Sequence, residues 1–264
     1  MIVHLYAQCW NDEWILPFFF RHYDGLVERY VIYDDGSTDG TLALLRAHPK
    51  VELRQFPRGV AGSFVLSEQA FSNKCWKESR GEADWVIVTD LDEFLFHPSG
   101  RGYLERCAAR DVTLIPALGF QMISDRRPQP DDNLCADYSI GAPYVQMMKP
   151  SIFNPLAVTE MNFAVGRHQA DPTGRIRIPE IDEMLLFHYK YMGFEETRRR
   201  HRQLLQGLGT LDWHNGWGHK YSWTEEQLQA DWKTFADAAI DTMPFRKVPR
   251  QHYPIAPWWE KFRG

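Results

Sequence analysis

The chain has 264 residues, of which 44% are hydrophobic, and a formal net charge of −5 at pH 7. That length and apolar content suffice for one large α/β domain, and the acidic balance argues against a nucleic-acid partner. The four cysteines, Cys9, Cys75, Cys107 and Cys135, form no C-x-x-C pair. This spacing disfavours a structural zinc site and a disulfide framework and favours a cytoplasmic protein.

No segment predicts insertion into a membrane. The first residues are typical of a strand rather than a signal peptide. The most apolar run, Trp14 to Phe20, contains Pro17 and is far shorter than the roughly 20 residues that span a bilayer. We expect no transmembrane helix, and peripheral membrane contact stays open.

Strands and helices alternate along the first half, which is typical of a parallel sheet covered by helices. We predict a helix that opens at Asn11 and another capped by Ser63. The predicted strands cover residues 2–7, 29–33, 51–56, 85–89 and 112–120, and the helices 11–23, 39–47, 63–81 and 102–110.

The second half is less regular. Residues 124–143 are rich in Pro, Asp and Asn and predict a long loop, either a functional lid or a disordered excursion. Strands return at 144–148, 151–153 and 184–188, and the remainder is helical. Thr224 and Gln227 predict a capping box for the last long helix.

Acidic residues follow two of the predicted buried strands. Asp90 and Asp92 come after the fourth strand, and Asp34 and Asp35 after the second. A carboxylate at a strand's carboxyl end faces a crevice, where it can hold a hard cation without the cost of burial. Asp90 can address a ribose and Asp92 a metal, so the pattern indicates a site for a metal-nucleotide substrate.

Several motifs taken together resemble family 2 glycosyltransferases with the GT-A fold, in the bacterial subgroup with Gly-x-His and His-Tyr motifs. They are Asn11-Asp12-Glu13, DDGSTDGT at 34–41, Asp90-Leu91-Asp92-Glu93-Phe94, Gly166-Arg167-His168 and His188-Tyr189. The resemblance implies a nucleotide-sugar site at Asn11, Glu13, Asp34, Asp35, Asp90, Leu91 and Lys149. It implies metal ligands at Asp90, Asp92 and His188. By itself His188 could equally be a core histidine, and Asp34 to Ser37 a plain turn.

The general base has no clear counterpart in the motifs. Asp182 and Glu183, ahead of the strand that bears His188, are our candidates, and the resemblance places His168 as a further catalytic or phosphate contact. Trp213 and Trp217 flank a glycine-rich segment and predict an acceptor platform, because sugars pack their C–H faces on indole rings.

We therefore predict a GT-A α/β fold with a mixed central sheet flanked by helices. Residues 1–200 would form the transferase domain, with a nucleotide-binding half (1–123) and an acceptor and metal half (124–200). Residues 201–264 would form a helical, Trp-rich extension packed on the same domain.

The predicted activity is transfer of a sugar from a nucleoside diphosphate sugar, preferably a UDP-sugar, to a hydroxyl acceptor such as a glycan or a lipid-linked saccharide. Transfer would invert the configuration at the anomeric carbon and use Mn²⁺ or Mg²⁺. It would serve glycan or surface polysaccharide synthesis in the cytoplasm, with membrane association left open. Two alternatives stay open: a nucleotidyltransferase of similar fold, and a transferase homologue that only binds glycans.

Overall fold

Two sheets organise the chain, and the computed structural model describes residues 1–243 and 250–263. In chain order the strands are β1 (Val3–Cys9), β2 (Arg29–Asp34), β3 (Val51–Gln55), β4 (Trp85–Val88), β5 (Glu93–Phe96), β6 (Leu114–Ile115), β7 (Leu118–Ser124), β8 (Ile140–Pro143), β9 (Ile152–Phe153), β10 (Val158–Glu160), β11 (Thr173–Gly174), β12 (Leu185–Met192) and β13 (Ile240–Asp241). The helices are α1 (Leu16–Tyr23), α2 (Thr41–Ala47), α3 (Phe64–Ser72), α4 (Arg101–Ala109), α5 (Leu134–Asp137), α6 (Phe194–Gly207), α7 (Thr210–His214) and α8 (Glu225–Ala238).

The first sheet has the order β3-β2-β1-β4-β9-β6. Strands β1 to β4 are parallel, and β9 runs antiparallel to β4 and β6. Every residue of β4 is buried, as expected of a strand that packs on both faces of a parallel sheet. Because β2 and β3 lie on one side of β1 and β4 on the other, the loops after β1 and β4 diverge and leave a crevice at their carboxyl ends.

The second sheet has the order β13-β8-β7-β12-β5. Strands β7 and β12 are parallel, and the other pairs are antiparallel. The chain passes directly from β4 in the first sheet to β5 in the second, and only residues 89–92 connect the two strands. The predicted class, a mixed α/β architecture with helices flanking the sheet, is confirmed.

Helix ends follow the capping rules at two predicted positions. The side chain of Ser63 accepts a hydrogen bond from the Leu66 amide at the start of α3, and Thr224 forms the predicted capping box with Gln227. The predicted helix start at Asn11 is wrong. Asn11 has φ of +55°, outside the helical region, and α1 begins only at Leu16, with a proline in its first turn.

Three other predicted elements need correction. The strand predicted over 112–120 is two strands, β6 and β7, which meet at Pro116, because proline cannot donate to a sheet ladder. The loop predicted over 124–143 contains α5 and β8, and the strand predicted over 144–148 is a single 3-10 turn, Val145–Met147.

The C-terminal extension packs against both sheets. Helix α6 runs across residue 200, where we placed the domain boundary. Tyr253 and Trp259 join the main hydrophobic core, and Trp232 stacks on Tyr191 with ring centroids 5.2 Å apart. None of the helices in the described part of the chain is long and apolar enough to cross a membrane.

Asp212 fastens α7 to the start of α3. Its carboxylate is fully buried and accepts hydrogen bonds from the hydroxyl of Ser63 and from the backbone amides of Phe64 (2.8 Å) and Val65 (3.3 Å). The free amides and the positive dipole end of a helix favour a carboxylate at this position. A residue near the end of the chain thus completes the cap of a helix near its beginning.

Candidate active site

Asp90, Leu91 and Asp92 lie where the chain crosses from one sheet to the other. Strand β5 pairs antiparallel with β12 in a register that sets Glu93 opposite His188. The next pair brings Asp92 beside Tyr189, whose amide donates to the Asp92 carbonyl over 2.8 Å. This register explains how two residues far apart in the sequence, Asp92 and His188, come together.

The side chains of Asp92 and His188 face each other, with 3.4 Å between Oδ2 and Nε2. His188 Nδ1 donates to Gln121 Oε1 over 2.7 Å, because the amide oxygen can only accept. The Gln121 amide nitrogen in turn donates to the carbonyls of Met122 and His188, which fixes the orientation of the amide. In a neutral imidazole this leaves the Nε2 lone pair directed at the carboxylate side.

Charge around Asp92 keeps its carboxylate ionised. Burial alone would raise its pKa, but His188 and Lys190 outweigh the effect and lower the pKa to about 2. When a metal displaces the Nε2 proton of His188, an ionised carboxylate and an imidazole whose other nitrogen is hydrogen-bonded form the arrangement by which proteins ligate divalent metals. In the described part of the chain no group of three or more His, Cys, Asp or Glu side chains is placed to hold a metal.

Asp90 belongs to a buried ion network instead. Its carboxylate contacts Arg167 Nη2 at 2.7 Å and Lys149 Nζ at 3.5 Å, and both cations also contact Glu93. Arg167, Lys149 and Glu93 are almost fully buried, whereas 43% of the Asp90 side chain is exposed. The network therefore holds Asp90 at the surface of the site, with its carboxylate oxygens turned toward cations.

Glu93 is the centre of this network. Burial would raise its pKa, but Lys149 and Arg167 lower it to about 2. Arg167 also donates to the carbonyl of Val88, at the end of β4, over 2.7 Å. Glu68 on α3 lies 3.4 Å from Arg167 Nε. The sequence singled out neither Arg167 nor Glu93, although both are within the motifs, because nothing local in the sequence shows which motif residue is buried.

Two residues predicted to touch the donor lie at the edge of this network. Lys149, expected at a phosphate, has its ammonium group engaged by Glu93 and Asp90 beneath the surface. His168 Nδ1 contacts the carbonyl of Gln146 at 2.5 Å. Burial and the nearby Lys149 lower the His168 pKa to about 3, so this ring is neutral at physiological pH. Leu91 between the two aspartates is buried.

The two aspartates after β2 play different parts. Asp34 is buried and accepts from the backbone amides of Gly36 and Ser37, which closes the turn that φ of +82° at Gly36 makes possible. Asp35 receives two hydrogen bonds from the Arg58 guanidinium, at 2.8 and 2.5 Å. Asp35 therefore lies at the carboxyl end of β2, where it pairs with Arg58, and Asp34 shapes the turn.

Asn11 and Glu13 organise the start of α2. The side-chain oxygen of Asn11 accepts from the amides of Thr38 and Asp39, at 2.6 and 3.3 Å. Glu13 Oε2 accepts from the amide of Gly40 at 3.0 Å. These contacts tie the loop after β1 to the loop after β2.

A cleft of about 950 Å³ opens beside Asp92. One wall is the loop after β1, the second is the end of β12 with the first turns of α6, and the third is the loop at 127–130. Helix α6 is held against the first wall by Arg200, which bonds Asp12 at 2.5 Å and the Trp10 carbonyl at 2.7 Å. Burial raises the pKa of Asp12 to about 6, against the lowering effect of Arg200.

The sequence model of glycosyltransferase family 92 matches residues 8–237. This chain belongs to glycosyltransferase family 92. The coarser prediction of a glycosyltransferase is thereby confirmed, and the resemblance to family 2 in particular stays a prediction. No curated protein sequence matches the chain.

Solved structures share only remote similarity with this family 92 chain. S. aureus TarS 1–349 is 14% identical, with 77% of this chain and 64% of that chain covered and a TM-score of 0.39. The same protein in complex with UDP is 15% identical, with 76% of this chain and 64% of that chain covered and a TM-score of 0.41. A third structure is glucosyl-3-phosphoglycerate synthase from Mycobacterium tuberculosis in complex with Mn²⁺, UDP and glucosyl-3-phosphoglycerate. It is 17% identical, with 46% of this chain and 44% of that chain covered and a TM-score of 0.30. This chain spans less than two thirds of each of these chains, and similarity at this level carries no information about activity.

The predicted bases and acceptor platform of the family 92 chain lie away from the Asp92 pair. Asp182 is buried and accepts hydrogen bonds from Trp259 Nε1 at 2.9 Å and from Arg263. Glu183 lies near Tyr103 of α4 and does not line the cleft. Trp213 has 47% of its surface exposed, and neither it nor Trp217 lines the cleft. The structure does not bring these four residues together with Asp92 and His188.

Proposed function

We propose that this chain transfers a sugar from a nucleoside diphosphate sugar, with a UDP-sugar favoured, to a hydroxyl acceptor with the help of a divalent cation. The observation that carries the proposal is the pairing of Asp92 with His188 at 3.4 Å, beside a cleft of about 950 Å³. Leaving-group charge is the main electrostatic demand in such a transfer. A carboxylate and an imidazole at a crevice between two sheets could hold a cation that stabilises this negative charge.

Asp92 and His188 would hold Mn²⁺ or Mg²⁺, whose further ligands would come from the diphosphate and water. When bound, the cation supplies Lewis-acid stabilisation of the departing diphosphate. Gln121 would orient the His188 ring for this role, since an outer hydrogen bond fixes the tautomer of a ligating histidine. Asp90, half exposed between its cations, would face the ribose.

We place the nucleoside along the carboxyl ends of β1, β2 and β4, because ligands of open α/β sheets bind where the strand order reverses. Asp35 and Arg58 would meet the nucleoside there. The cleft beside Asp92 would then receive the sugar and the acceptor, and its apolar wall residues, among them Trp14 and Met192, provide surface for a sugar ring.

For the general base we propose Glu196, at the start of α6. Of the acids that line the cleft, Asp12, Glu13, Asp39 and Asp92 have the bonds described above or cap α2. Glu196 has no hydrogen-bond or ion-pair partner in the part of the chain that the structure describes. A free carboxylate in the cleft could take the proton of an acceptor hydroxyl in an inverting displacement.

Glu196→Gln is expected to lower turnover by about 100-fold or more, in line with loss of a general base, with donor affinity retained. Glu195→Gln is the matched control, because Glu195 is adjacent, bonds Arg198 at 2.6 Å and faces away from the cleft. Steady-state rates of sugar-nucleotide turnover would report the effect. Equal rates for the two variants would remove Glu196 from the mechanism.

The function itself is tested by thermal-shift screening of the purified protein against UDP-, GDP-, CDP- and dTDP-sugars, with and without manganese. We expect one nucleotide class to raise the melting temperature in a manganese-dependent way, because a ligand that binds the folded state stabilises it. The hit is then incubated with the protein and followed for nucleoside diphosphate release.

Release of the diphosphate supports the transferase. Binding without release, in the presence of candidate acceptors, would favour a homologue that only binds. Pyrophosphate release from a nucleoside triphosphate and a sugar 1-phosphate would instead identify a nucleotidyltransferase.

A further inference from the structure

Lys190 follows His188 by two residues on β12. The register between β12 and β7 shifts between His188 and Tyr191, so the regular alternation of a strand does not by itself place the Lys190 side chain. Lys190 lines the cleft together with Asp92 and is the half-buried residue of an otherwise buried strand. The Lys190 side chain therefore forms part of the cleft wall, on the strand that also carries His188.

The partner of Lys190 is neutral. Its Nζ lies 3.1 Å from the hydroxyl of Tyr221 and 4.5 Å from the centre of the Tyr221 ring. An ammonium group has three protons to donate, and the described residues supply Lys190 with no carboxylate within ion-pair distance.

Other sheltered cations nearby are paired. Lys149 and Arg167 contact Glu93 and Asp90, and Lys220, which like Lys190 packs on aromatic rings, bonds Asp231 at 3.1 Å. A half-buried cation without a counter-ion costs free energy. We therefore expect a bound ligand to supply the negative charge that pairs with Lys190.

Lys190 and Asp92 line the same cleft. A diphosphate bound through a cation on Asp92 and His188 would place its oxygens beside this ammonium group. Lysine is a common phosphate binder because it acts as a compact point charge.

We infer that Lys190 binds the diphosphate of the donor and stabilises it as the leaving group. The inference rests on the proposed function. In the step, the acceptor oxygen forms a bond to the anomeric carbon, and the bond from that carbon to the diphosphate oxygen breaks. The electron pair stays on the diphosphate, the acceptor proton goes to the base, and Lys190 keeps its protons throughout.

The test compares Lys190→Met, Lys190→Gln and Lys190→Arg with the control Lys233→Met. Lys233 is also a lysine, but it is exposed on α8 and pairs with Asp237, so its loss changes net charge equally without touching the cleft. Calorimetry with manganese measures the affinity for UDP, or for the diphosphate that the screen identifies, and for the matching nucleoside. Turnover of the corresponding sugar nucleotide is measured in parallel.

We expect the Met and Gln variants to bind the diphosphate roughly 10- to 100-fold more weakly, as loss of a charged hydrogen bond predicts, and to lower turnover by about 100-fold. Nucleoside affinity should stay unchanged in all variants, and Lys190→Arg should retain most of the diphosphate affinity. A purely structural lysine would instead lower the melting temperature and weaken both ligands together.

The outcomes separate the two proposals. If wild type binds the diphosphate and the Met and Gln variants bind it equally well, the role of Lys190 is overturned while the proposed function stands. If wild type binds none of the diphosphates with manganese, the proposed function fails first.

Discussion

Asp92→Ala and His188→Ala are each expected to weaken manganese-dependent binding of UDP by more than the roughly 10- to 100-fold that loss of an outer hydrogen-bond partner costs at a metal site. Each substitution removes one of the two protein ligands that we propose for the cation. Isothermal calorimetry of UDP, or of the diphosphate identified by screening, measures the effect with and without manganese. Without the metal, wild type and variants should bind equally weakly.

Two further variants sharpen this result. Gln121→Leu removes the hydrogen bond that orients His188. We expect its manganese-dependent affinity for UDP to lie between those of wild type and His188→Ala. Asp237→Ala deletes an exposed carboxylate on α8 that pairs with Lys233 and should leave binding unchanged. Wild-type affinity in both Asp92→Ala and His188→Ala would exclude the pair as a metal site.

Arg167→Met is expected to lower the free energy of unfolding by about 3–5 kcal/mol, the cost of removing one partner from a buried ion pair. Arg167 is 2% exposed and contacts Asp90, Glu93 and Glu68, so its loss leaves buried negative charge with Lys149 alone. Urea unfolding followed by tryptophan fluorescence gives the free energy. Arg175→Met, which breaks an exposed pair with Asp111, is the control and should change stability little.

The pH dependence of that loss has a definite sign. In the wild type the Glu93 pKa is lowered to about 2, so its ionised form stabilises the fold above the ordinary carboxyl pKa, and this contribution disappears as the pH falls toward 2. Without Arg167 the carboxylates protonate more readily. The difference between wild type and Arg167→Met should therefore shrink as the pH falls below 5, and a difference that is constant from pH 7 to pH 4 would contradict the network.

Local sequence patterns were sufficient for the parallel half of the fold. Alternating apolar strands and capped helices predicted β1 to β4, and the position of Asp90 and Asp92 after a buried strand predicted the crevice. His188 needed the resemblance, because its approach to Asp92 depends on the register between β5 and β12, which no local pattern encodes. Pro116 could have indicated that the strand predicted over 112–120 is interrupted.

The ion network could not be predicted from the sequence, for a different reason. Arg167 follows a glycine and precedes a histidine in a loop, where an arginine is ordinarily solvated. Its burial follows from contacts with β4, α3 and the Asp90 turn, which are separated by tens of residues along the chain. Likewise, Asp182 resembles a surface acid until Trp259 and Arg263 are brought against it.

The contact between Asp212 and Ser63 has a consequence for the order of events during synthesis. The two residues are 149 positions apart, as are Arg58 and the Gly207 carbonyl that it bonds. The ribosome must therefore add 149 residues after Ser63, and 149 after Arg58, before these bonds can form. The cap of α3 and the contact of Arg58 with α6 are therefore completed only after α6 and α7 have been synthesised.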